Sequence, residues 1–277
     1  MDVTEAPQWL DLSEVAACQP LSDEAGWNQT PDDWDMLLRA GQGFAIRDRG
    51  GVPRATVVAL PMGESFGWIS MVLVTGALRQ RGHAKRLMGI AIAWLEGQGL
   101  TPVLDATPAG QPLYELLDFK GGLRLRRMSG EGGGRAETEG LRAAMAKDAE
   151  WVEALDRAVF GGERGAILRD LMGRDGAVSI VSEAEDGFVL SRKGRNATQI
   201  GPVVAGDQAT ATRLLQAALA AIEGRVFVDA VVGQGLDLVL ERDGFKEQRP
   251  FLRMARGDGM NMDTPARYFA AAGPELG

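Results

Sequence analysis

The sequence predicts a protein of the α/β class, with mixed α+β sheets, built from two tandem domains that each have a central mixed sheet flanked by helices. Three observations lead to this fold class. The chain has 277 residues, about twice the usual size of one compact domain. Strand-like and helix-like segments alternate, which indicates at least partly parallel strand pairing. The second half repeats the order of the first.

The first half alternates helical and strand-like segments along its whole length. Thr30 precedes Pro31 and is a suitable N-cap for the second helix. The long helix shows apolar residues at helical spacing and ends in glycines. The predicted elements are helices at 12–18 and 32–39, strands at 44–48, 55–60 and 68–74, a helix at 84–99, a strand at 103–107, a short helix from Gln111 and a strand at 123–128.

The second half matches the first when the helix from Ala84 is aligned with the helix from Ala211 without a gap. In this register the segment VLDA at 103–106 falls opposite FVDA at 227–230. Self-similarity of this kind indicates duplication of one fold.

Composition marks the boundaries between these parts. The segment SGEGGGRAETEG is rich in Gly and Glu, which is typical of a linker. The stretch after Gly257 has little periodicity and predicts a tail that docks through Tyr268 and Phe269. The predicted parts are a first domain at 1–128, a linker at 129–140, a second domain at 141–257 and a tail at 258–277.

Charge and residue counts exclude several classes of function. A net charge of −8 and a pI near 4.9 argue against a nucleic-acid partner. Cys18 is the single cysteine and His83 the single histidine, so we predict no disulfide and no metal site. The first residues lack the order of a signal peptide, and no apolar run approaches the roughly 20 residues of a membrane helix. We expect a cytoplasmic protein with no membrane partner, and a homodimer is left open.

One loop carries the clearest chemistry. The segment VTGALRQRGHA at 74–84 joins a predicted strand to the long helix. Gly82 and the small Ala84 allow main-chain N–H groups to approach an anion closely, and the helix N-terminus adds about half a positive charge. Three basic side chains add to it, namely Arg79, Arg81 and Lys85. A diphosphate is the natural ligand, although the loop alone also fits an ordinary strand-to-helix turn.

This loop resembles the R/Q-x-x-G-x-G/A motif of the GNAT superfamily of N-acetyltransferases, with Arg79, Gly82 and Ala84 at its three defining positions. The segment LYELLDF at 113–119 is similar to the l-Y-x-x-l-G-F segment of that family, in which the tyrosine often protonates the leaving thiolate. Two features in the right order are more specific than either alone. The resemblance covers about residues 40–128.

The resemblance implies acetyl-CoA as the acyl donor and Tyr114 as the catalytic acid, although packing of the Tyr114 ring on the sheet is the alternative. It implies that His83 contributes its main chain and does not act as a base. Asp118 replaces the usual glycine of the family, and Thr107 stands where an asparagine is common. The residues assigned to the cofactor are Val72, Leu73, Val74, Arg79, Gln80, Arg81, Gly82, His83, Ala84, Lys85 and Thr107.

Amide formation also needs an acceptor site and a group that takes a proton. A lysine-like amine with a pKa near 10.4 lies about 4.6 kcal/mol from its neutral form at pH 7. The candidates to contact the amine substrate flank or belong to the loop GWNQ, namely Glu24, Trp27 and Asn28. Three acids could take the proton directly or through water, namely Glu24, Asp32 and Asp33, but Asp32 and Asp33 also fit the first turn of a helix, where carboxylates favour the dipole. Trp34 could line the acceptor pocket but also fits a core. The base is not assigned.

The second half lacks the features of an acyl-CoA site. In the aligned register an alanine faces Gly82, a leucine faces Tyr114, and Asp207 lies where a diphosphate favours positive charge. We therefore predict a degenerate GNAT-like domain that shapes the acceptor site or stabilises the first half. Asp156 and Arg164 belong to a D-x-x-x-F-G-x-x-R pattern that resembles the C-terminal domain of some bacterial two-domain acetyltransferases. They either contact substrate or form a structural salt bridge.

The leading hypothesis is an N-acetyltransferase that moves acetyl from acetyl-CoA directly to a primary amine of a small molecule in a ternary complex. The alternative from another class is a CoA-binding sensor or pseudoenzyme that regulates a partner. A third hypothesis keeps the enzyme but exchanges acetyl for a longer acyl group.

Overall fold

The computed structural model describes residue 3, residues 6–257 and residues 266–277. The chain divides into two compact units, residues 1–104 and 105–277. Each unit contains a mixed sheet with helices packed against it, as the sequence predicts. Within the described ranges, no helix is long and apolar enough to cross a membrane.

The first unit has strand order β1-β2-β3-β4-β5, antiparallel except for the parallel pair β4–β5. Helices α1 and α2 pack against β3, and α3 packs against β2, β3 and β4. Its elements are β1 (Gln8–Leu10), α1 (Val15–Glu24), α2 (Pro31–Ala40), β2 (Gln42–Arg47), β3 (Pro53–Pro61), β4 (Phe66–Val74), α3 (His83–Glu96) and β5 (Thr101–Ala106), which continues two residues past the boundary.

Helix α2 begins where its sequence favours it, whereas helix α1 ends later than predicted. The Thr30 side chain accepts from the Asp33 N–H, and the Asp33 carboxylate accepts from the Thr30 N–H at 2.9 Å, a reciprocal cap. Helix α1 runs on to Glu24 with Pro20 inside it, so the sequence ends this helix too early. A proline is unfavourable in a helix interior, but the buried face that includes Cys18 holds the helix against the unit.

A bulge shapes the end of β4. The register with β3 shifts between Thr56 and Val58, and Met71 on β4 has φ +51. The buried Thr56 hydroxyl donates to the Met71 carbonyl oxygen at 3.0 Å. A bulge bends its strand. Pairing with β5 covers only Phe66 to Trp68, so residues 69–74 of β4 lie past the part that is paired with β5. We call this place the first fork.

The second unit has strand order β12-β6-β11-β13-β10-β9-β8-β7. Helices α5 and α7 pack against β9 and β10, α6 packs against β9, and α8 packs against β6 and β11. Its elements are α4 (Gln111–Glu115), β6 (Phe119–Gly132), β7 (Leu141–Ala143), α5 (Ala149–Phe160), α6 (Gly165–Gly173), β8 (Ile180–Ser182), β9 (Gly187–Lys193), β10 (Thr198–Ala205), α7 (Gln208–Ala221), β11 (Gly224–Val231), α8 (Leu236–Arg242), β12 (Lys246–Arg256) and β13 (Tyr268–Ala271).

Strand β6 lies in the second unit, although the sequence places most of it in the first domain. It pairs with β11 on one side and β12 on the other. The strand also includes 129–132, the start of the predicted linker. A Cβ at Gly130 would overlap the Phe245 ring, and one at Gly132 would overlap the Ile222 carbonyl. These glycines therefore allow close packing in a paired strand and do not mark a flexible connection.

The end of the described chain docks through Tyr268 and Phe269, as predicted, but it forms a strand. Tyr268 and Phe269 are buried at 0% and 2% exposure, and they belong to β13, which lies between β11 and β10. Residues 258–265 of the predicted tail lie outside the described residues. A four-residue strand is too short to show a periodicity, so the sequence does not reveal it.

The predicted duplication is visible in the order of elements. A strand, a helix and a parallel strand recur as β4–α3–β5 and β10–α7–β11. The two helices α3 and α7 each have 14 residues.

Candidate active site

The loop between β4 and α3 leaves the start of the helix without a side-chain cap. Gly82 is the N-cap residue, with φ +81 and no side chain to accept from the first N–H groups. Such a φ favours glycine. The first N–H groups of an α-helix have no partner within the helix, so those of His83, Ala84 and Lys85 are available to an anion.

Positive charge surrounds these donors. One of the four basic side chains at the loop, Arg79, lies 3.9 Å from the Glu24 carboxylate. The other three form no ion pair within the described residues. The first turn of α3 holds no acidic residue, and a Cβ at Gly82 would have no atom within 4 Å. Open space, free donors and positive charge together fit a diphosphate. The exposed basic side chains are Arg79, Arg81, Lys85 and Arg86.

His83 brings a neutral side chain to this positive site. The imidazole is buried, and its Nδ1 has no hydrogen-bond partner. Burial lowers the pKa of His83 below its ordinary value, and the neighbouring Arg86 and Arg81 guanidinium groups lower it further. The ring is therefore uncharged at neutral pH, and what His83 offers an anion is its main-chain N–H.

Glu24 holds the beginning of the loop. Its carboxylate accepts from the Thr75 hydroxyl at 2.6 Å and from the Gly76 N–H at 2.5 Å. These two donors lower the pKa of Glu24, so the group is ionised at neutral pH. The structure thus gives Glu24 a contact with the loop, and contact with the amine substrate stays a prediction for it.

This contact predicts the effect of Glu24→Gln. An amide weakens the hydrogen bonds to Thr75 and Gly76, and the loop becomes less well ordered. We expect the Kd for acetyl-CoA to rise by about 3- to 10-fold, roughly one hydrogen bond, as measured by calorimetry. The matched control is Asp23→Asn, which removes the same charge one residue away, where Asp23 accepts from Gln19 at 2.9 Å. If loss of negative charge were the dominant effect, both variants would instead bind the phosphates more tightly.

The loop between α1 and α2 supplies the other acceptor candidates. Trp27 is half-buried and donates its main-chain N–H to the Ser22 carbonyl at 2.9 Å, while Asn28 is buried. Trp34 is fully buried and its Nε1 donates to the Ser22 hydroxyl at 2.9 Å, so it is a core residue. Asp33 caps its helix. Trp27 and Asn28 stay predicted substrate contacts.

Tyr114 and Thr107 lie in the second unit, on either side of one turn. The Thr107 hydroxyl accepts from the Gly110 N–H at 3.2 Å and so holds the turn that leads into α4. A Cβ at Gly110 would come within 2.8 Å of a Tyr114 ring carbon, so the ring lies directly against this glycine. The Phe119 ring is 6.1 Å away, between centroids.

The surroundings of Tyr114 fix its protonation state. Burial raises the pKa of Tyr114 to about 12. The phenol is therefore fully protonated at neutral pH. Complete proton transfer to the thiolate of a thiol with a pKa near 8.5 would cost about 5 kcal/mol. Tyr114 is thus suited to stabilise a thiolate by donating a hydrogen bond.

The second unit has a fork of the same kind, but its own chain fills it. Strands β10 and β11 pair in parallel up to Ile200 and Val228. Beyond this point β13 inserts and pairs with both strands, with Ala270 opposite Val203 of β10 and opposite Ala230 of β11. We call this place the second fork.

The start of α7 also differs from the start of α3. Asp207 is its N-cap, and the carboxylate accepts from the Thr210 N–H at 2.8 Å. This bond lowers the pKa of Asp207, so the helix carries a negative charge where an anion would approach. A filled fork and a capped helix both make the second unit unsuited to acyl-CoA.

The sequence allows two roles for Asp156 and Arg164, a substrate contact or a structural salt bridge. In the structure they form a buried ion pair. Two hydrogen bonds of 2.9 Å join the guanidinium to the carboxylate, and both side chains are at most 1% exposed. The Arg164 guanidinium carbon also lies 3.8 Å from the centroid of the Phe160 ring. The pair is structural.

Sequence reasoning misses Thr56, which fixes the bulge beside the first fork. The one signal for it is a hydroxyl in the apolar strand segment ATVVAL, and many such residues have no special role. Nothing local to Thr56 in the sequence identifies Met71 as its partner.

Two protein families match the chain, one in each half. The family described as Acetyltransferase (GNAT) family matches residues 7–119. The family described as Acetyltransferase (GNAT) domain matches residues 152–268.

Individual relatives agree with this result. The holothin acyltransferase of Pseudoalteromonas sp. (strain SANK 73390) is 25% identical over 241 residues, which cover 82% of this chain and 81% of the relative. A crystal structure of a Pyrococcus horikoshii protein, assigned provisionally as an acetyltransferase, has a TM-score of 0.80 at 19% identity and covers 99% of this chain and 96% of that one. A tandem GNAT protein from the clavulanic acid biosynthesis pathway has a TM-score of 0.66 at 15% identity, over 94% and 100% of the two chains. At these identities the structural likeness shows the fold.

Proposed function

Because the chain belongs to the GNAT superfamily of acyltransferases and carries two GNAT domains in tandem, we propose that it transfers acetyl from acetyl-CoA to a primary amine of a small molecule. The observation that carries the proposal is the uncapped helix start at Gly82, with exposed basic side chains beside it. Among the described helices of the first unit, α3 is the one that has an uncapped start with exposed basic side chains and lies next to a fork.

The loop residues hold the diphosphate of the donor. Main-chain N–H groups at the start of α3 donate to it, and Arg79, Arg81 and Lys85 balance its charge. We assign main-chain groups of Val72, Leu73 and Val74 on β4 to the donor, with one N–H stabilising charge on the carbonyl oxygen. Acetyl-CoA, when bound, supplies an acetyl thioester.

The transfer is direct. Cys18 is the one cysteine of the chain, and burial raises the pKa of its thiol to about 12. Such a thiol is neither ionised nor accessible, so it is unsuited to form an acyl-enzyme. We assign the hydrogen bond to the leaving thiolate to Tyr114 and leave the base that accepts the amine proton unassigned.

The proposal predicts one acetyl-CoA per chain. The second fork is filled by β13, and Asp207 caps the helix that follows it. Calorimetric titration is expected to give a stoichiometry close to one. Two sites of similar affinity would contradict the assignment of binding to the first half alone.

The experiment that tests the activity is thiol release from acetyl-CoA over a panel of small primary amines that includes amino acids, amino sugars and polyamines. We expect turnover with at least one class of amine and the acetylated amine as product by mass spectrometry. Binding of acetyl-CoA without turnover over the whole panel would favour a CoA-binding sensor instead. Faster release from propionyl-CoA or longer thioesters would replace acetyl by a longer acyl group.

A further inference from the structure

Several arginine side chains are buried in the second unit and pair with carboxylates. Four of these side chains belong to residues that are at most 7% exposed. They form the ion pairs Arg127–Asp229, Arg164–Asp156, Arg192–Glu275 and Arg253–Asp105. Arg249 on β12 is half-buried and forms no ion pair within the described residues. Its Nε is shielded from solvent and has no hydrogen-bond partner.

Arg249 faces another positive charge. In the register of β12 and β6 it lies directly opposite Arg127. Both guanidinium groups contact the Phe251 ring, with their central carbons 5.5 Å and 5.1 Å from its centroid. Like charges directly opposite each other destabilise a sheet, and an unpaired buried charge is costly.

The nearby carboxylates are already engaged. Asp229 accepts from Arg127 at 2.8 and 2.7 Å and from the Gln199 amide at 3.2 Å. Glu275 accepts from Arg192, and its other carboxylate oxygen is buried without a hydrogen-bond partner. Neither carboxylate forms an ion pair with Arg249, whose positive charge has no such partner among the described residues.

The surroundings of Arg249 disfavour its positive charge. Burial lowers the pKa of Arg249, and the Arg127 guanidinium lowers it further. An anion at this place would offset the repulsion from Arg127. A carboxylate carries one negative charge and matches the planar guanidinium, whereas a phosphate group carries more charge than Arg249 alone can balance.

We propose that Arg249, with Arg127 opposite it and Phe251 beside both, binds a carboxylate of a small-molecule ligand. The ligand we assign is an amine acceptor that carries this carboxylate, such as an amino acid, and this part rests on the proposed acyl transfer. Arg249 then acts as a specificity residue in the second domain and takes no part in the bond-forming step.

The first arm of the test measures binding without turnover. The melting temperature of the full chain is compared in sodium chloride, sodium acetate and sodium phosphate at equal ionic strength. We expect acetate, relative to chloride, to raise the melting temperature of the wild type by about 2–4 °C more than that of Arg249→Gln. The corresponding difference in phosphate is expected to be smaller, and taking the difference removes the general stabilisation that phosphate gives to proteins. Arg249→Gln is expected to remove the acetate effect and to melt no lower than the wild type in chloride, because it removes an unpaired charge. The matched control is Arg225→Gln, at an exposed arginine of β11, which keeps the acetate effect.

The second arm measures specificity. Each amino acid in the amine panel is compared with its amide, which keeps the amine and lacks the carboxylate. We expect Arg249→Gln to raise KM for the acid at least 30-fold and for the amide less than 3-fold, with kcat little changed. Arg249→Lys, which keeps the charge without the planar fork, is expected to fall between the two and serves as the second variant should the glutamine variant not fold.

The two arms separate this inference from the proposed function. An acetate effect that depends on Arg249, without any turnover, leaves the carboxylate site standing and overturns acyl transfer to an amine. The site is overturned if Arg249→Gln raises KM equally for the acids and the amides. It is also overturned if the acetate effect is the same in the wild type and in Arg249→Gln. A difference between the wild type and Arg249→Gln that is larger in phosphate than in acetate also overturns it, because the ligand would then be a phosphate.

Discussion

Gly82→Val is expected to lower the affinity for acetyl-CoA at least about 100-fold, equivalent to roughly 2.7 kcal/mol. A valine side chain would enter the open space in front of the N–H groups that begin α3. It would also strain the backbone, because φ is +81 at this position, at a cost of about 1–2 kcal/mol for an L side chain. Calorimetric titration with acetyl-CoA measures the first effect and thermal unfolding the second.

The matched control for this substitution lies beyond the other end of the same helix. Gly99 has φ +77 and, like Gly82, has no atom within 4 Å of the place where a Cβ would lie. Gly99→Val should therefore lower the melting temperature by about as much as Gly82→Val and leave the affinity unchanged. Equal affinity losses in the two variants would mean that the effect comes from strain, and unchanged binding in Gly82→Val would remove the loop from the cofactor site.

Tyr114→Phe is expected to lower kcat by about 100-fold, within the range for loss of one hydrogen-bond donor to developing negative charge, with little change in the Kd for acetyl-CoA. The phenylalanine ring keeps the contacts with Gly110 and Phe119 and removes only the hydroxyl. Because the pKa of Tyr114 is raised to about 12, the wild-type rate should show no loss from phenol ionisation between pH 7 and about pH 10. Steady-state kinetics over this pH range check both expectations.

Tyr268→Phe is the control for the loss of a hydroxyl. Tyr268 is the other tyrosine of the chain, and its buried hydroxyl interacts with the Arg164 and Arg253 guanidinium groups of the second unit. Its removal should leave kcat unchanged. A rate that is the same in Tyr114→Phe and in the wild type would take Tyr114 out of the mechanism. A falling limb near pH 10 that disappears in Tyr114→Phe would contradict the raised pKa.

The sequence was sufficient for the features that depend on local pattern. Periodicity and turn residues predict β4, α3 and β5, and the reciprocal cap between Thr30 and Asp33 is readable from spacing alone. The role of Gly82 at the start of α3 is predicted by the same local reasoning, because a left-handed N-cap favours glycine. The negative cap at Asp207, which distinguishes the second half, is visible in the sequence as well.

The features that sequence reasoning missed depend on partners far along the chain. Residues 129–132 look like a flexible linker by composition, yet their glycines admit Phe245 and Ile222 in a paired strand. The filling of the second fork depends on β13, whose partner strands precede it by about 40 and 70 residues of chain. Glu24 is 52 residues from Gly76, whose N–H it accepts. Long-range pairing of this kind leaves no local pattern.

Hydrogen–deuterium exchange of the full chain with and without acetyl-CoA tests the central claim most directly. The claim is that the first half binds the donor through residues 72–85, whereas the second fork is already filled. We expect acetyl-CoA to slow exchange at the main-chain N–H groups of residues 72–85 and to leave residues 203–211, at the end of β10 and the start of α7, unchanged. Slower exchange at 203–211, or unchanged exchange at 72–85 under saturating acetyl-CoA, would contradict the account.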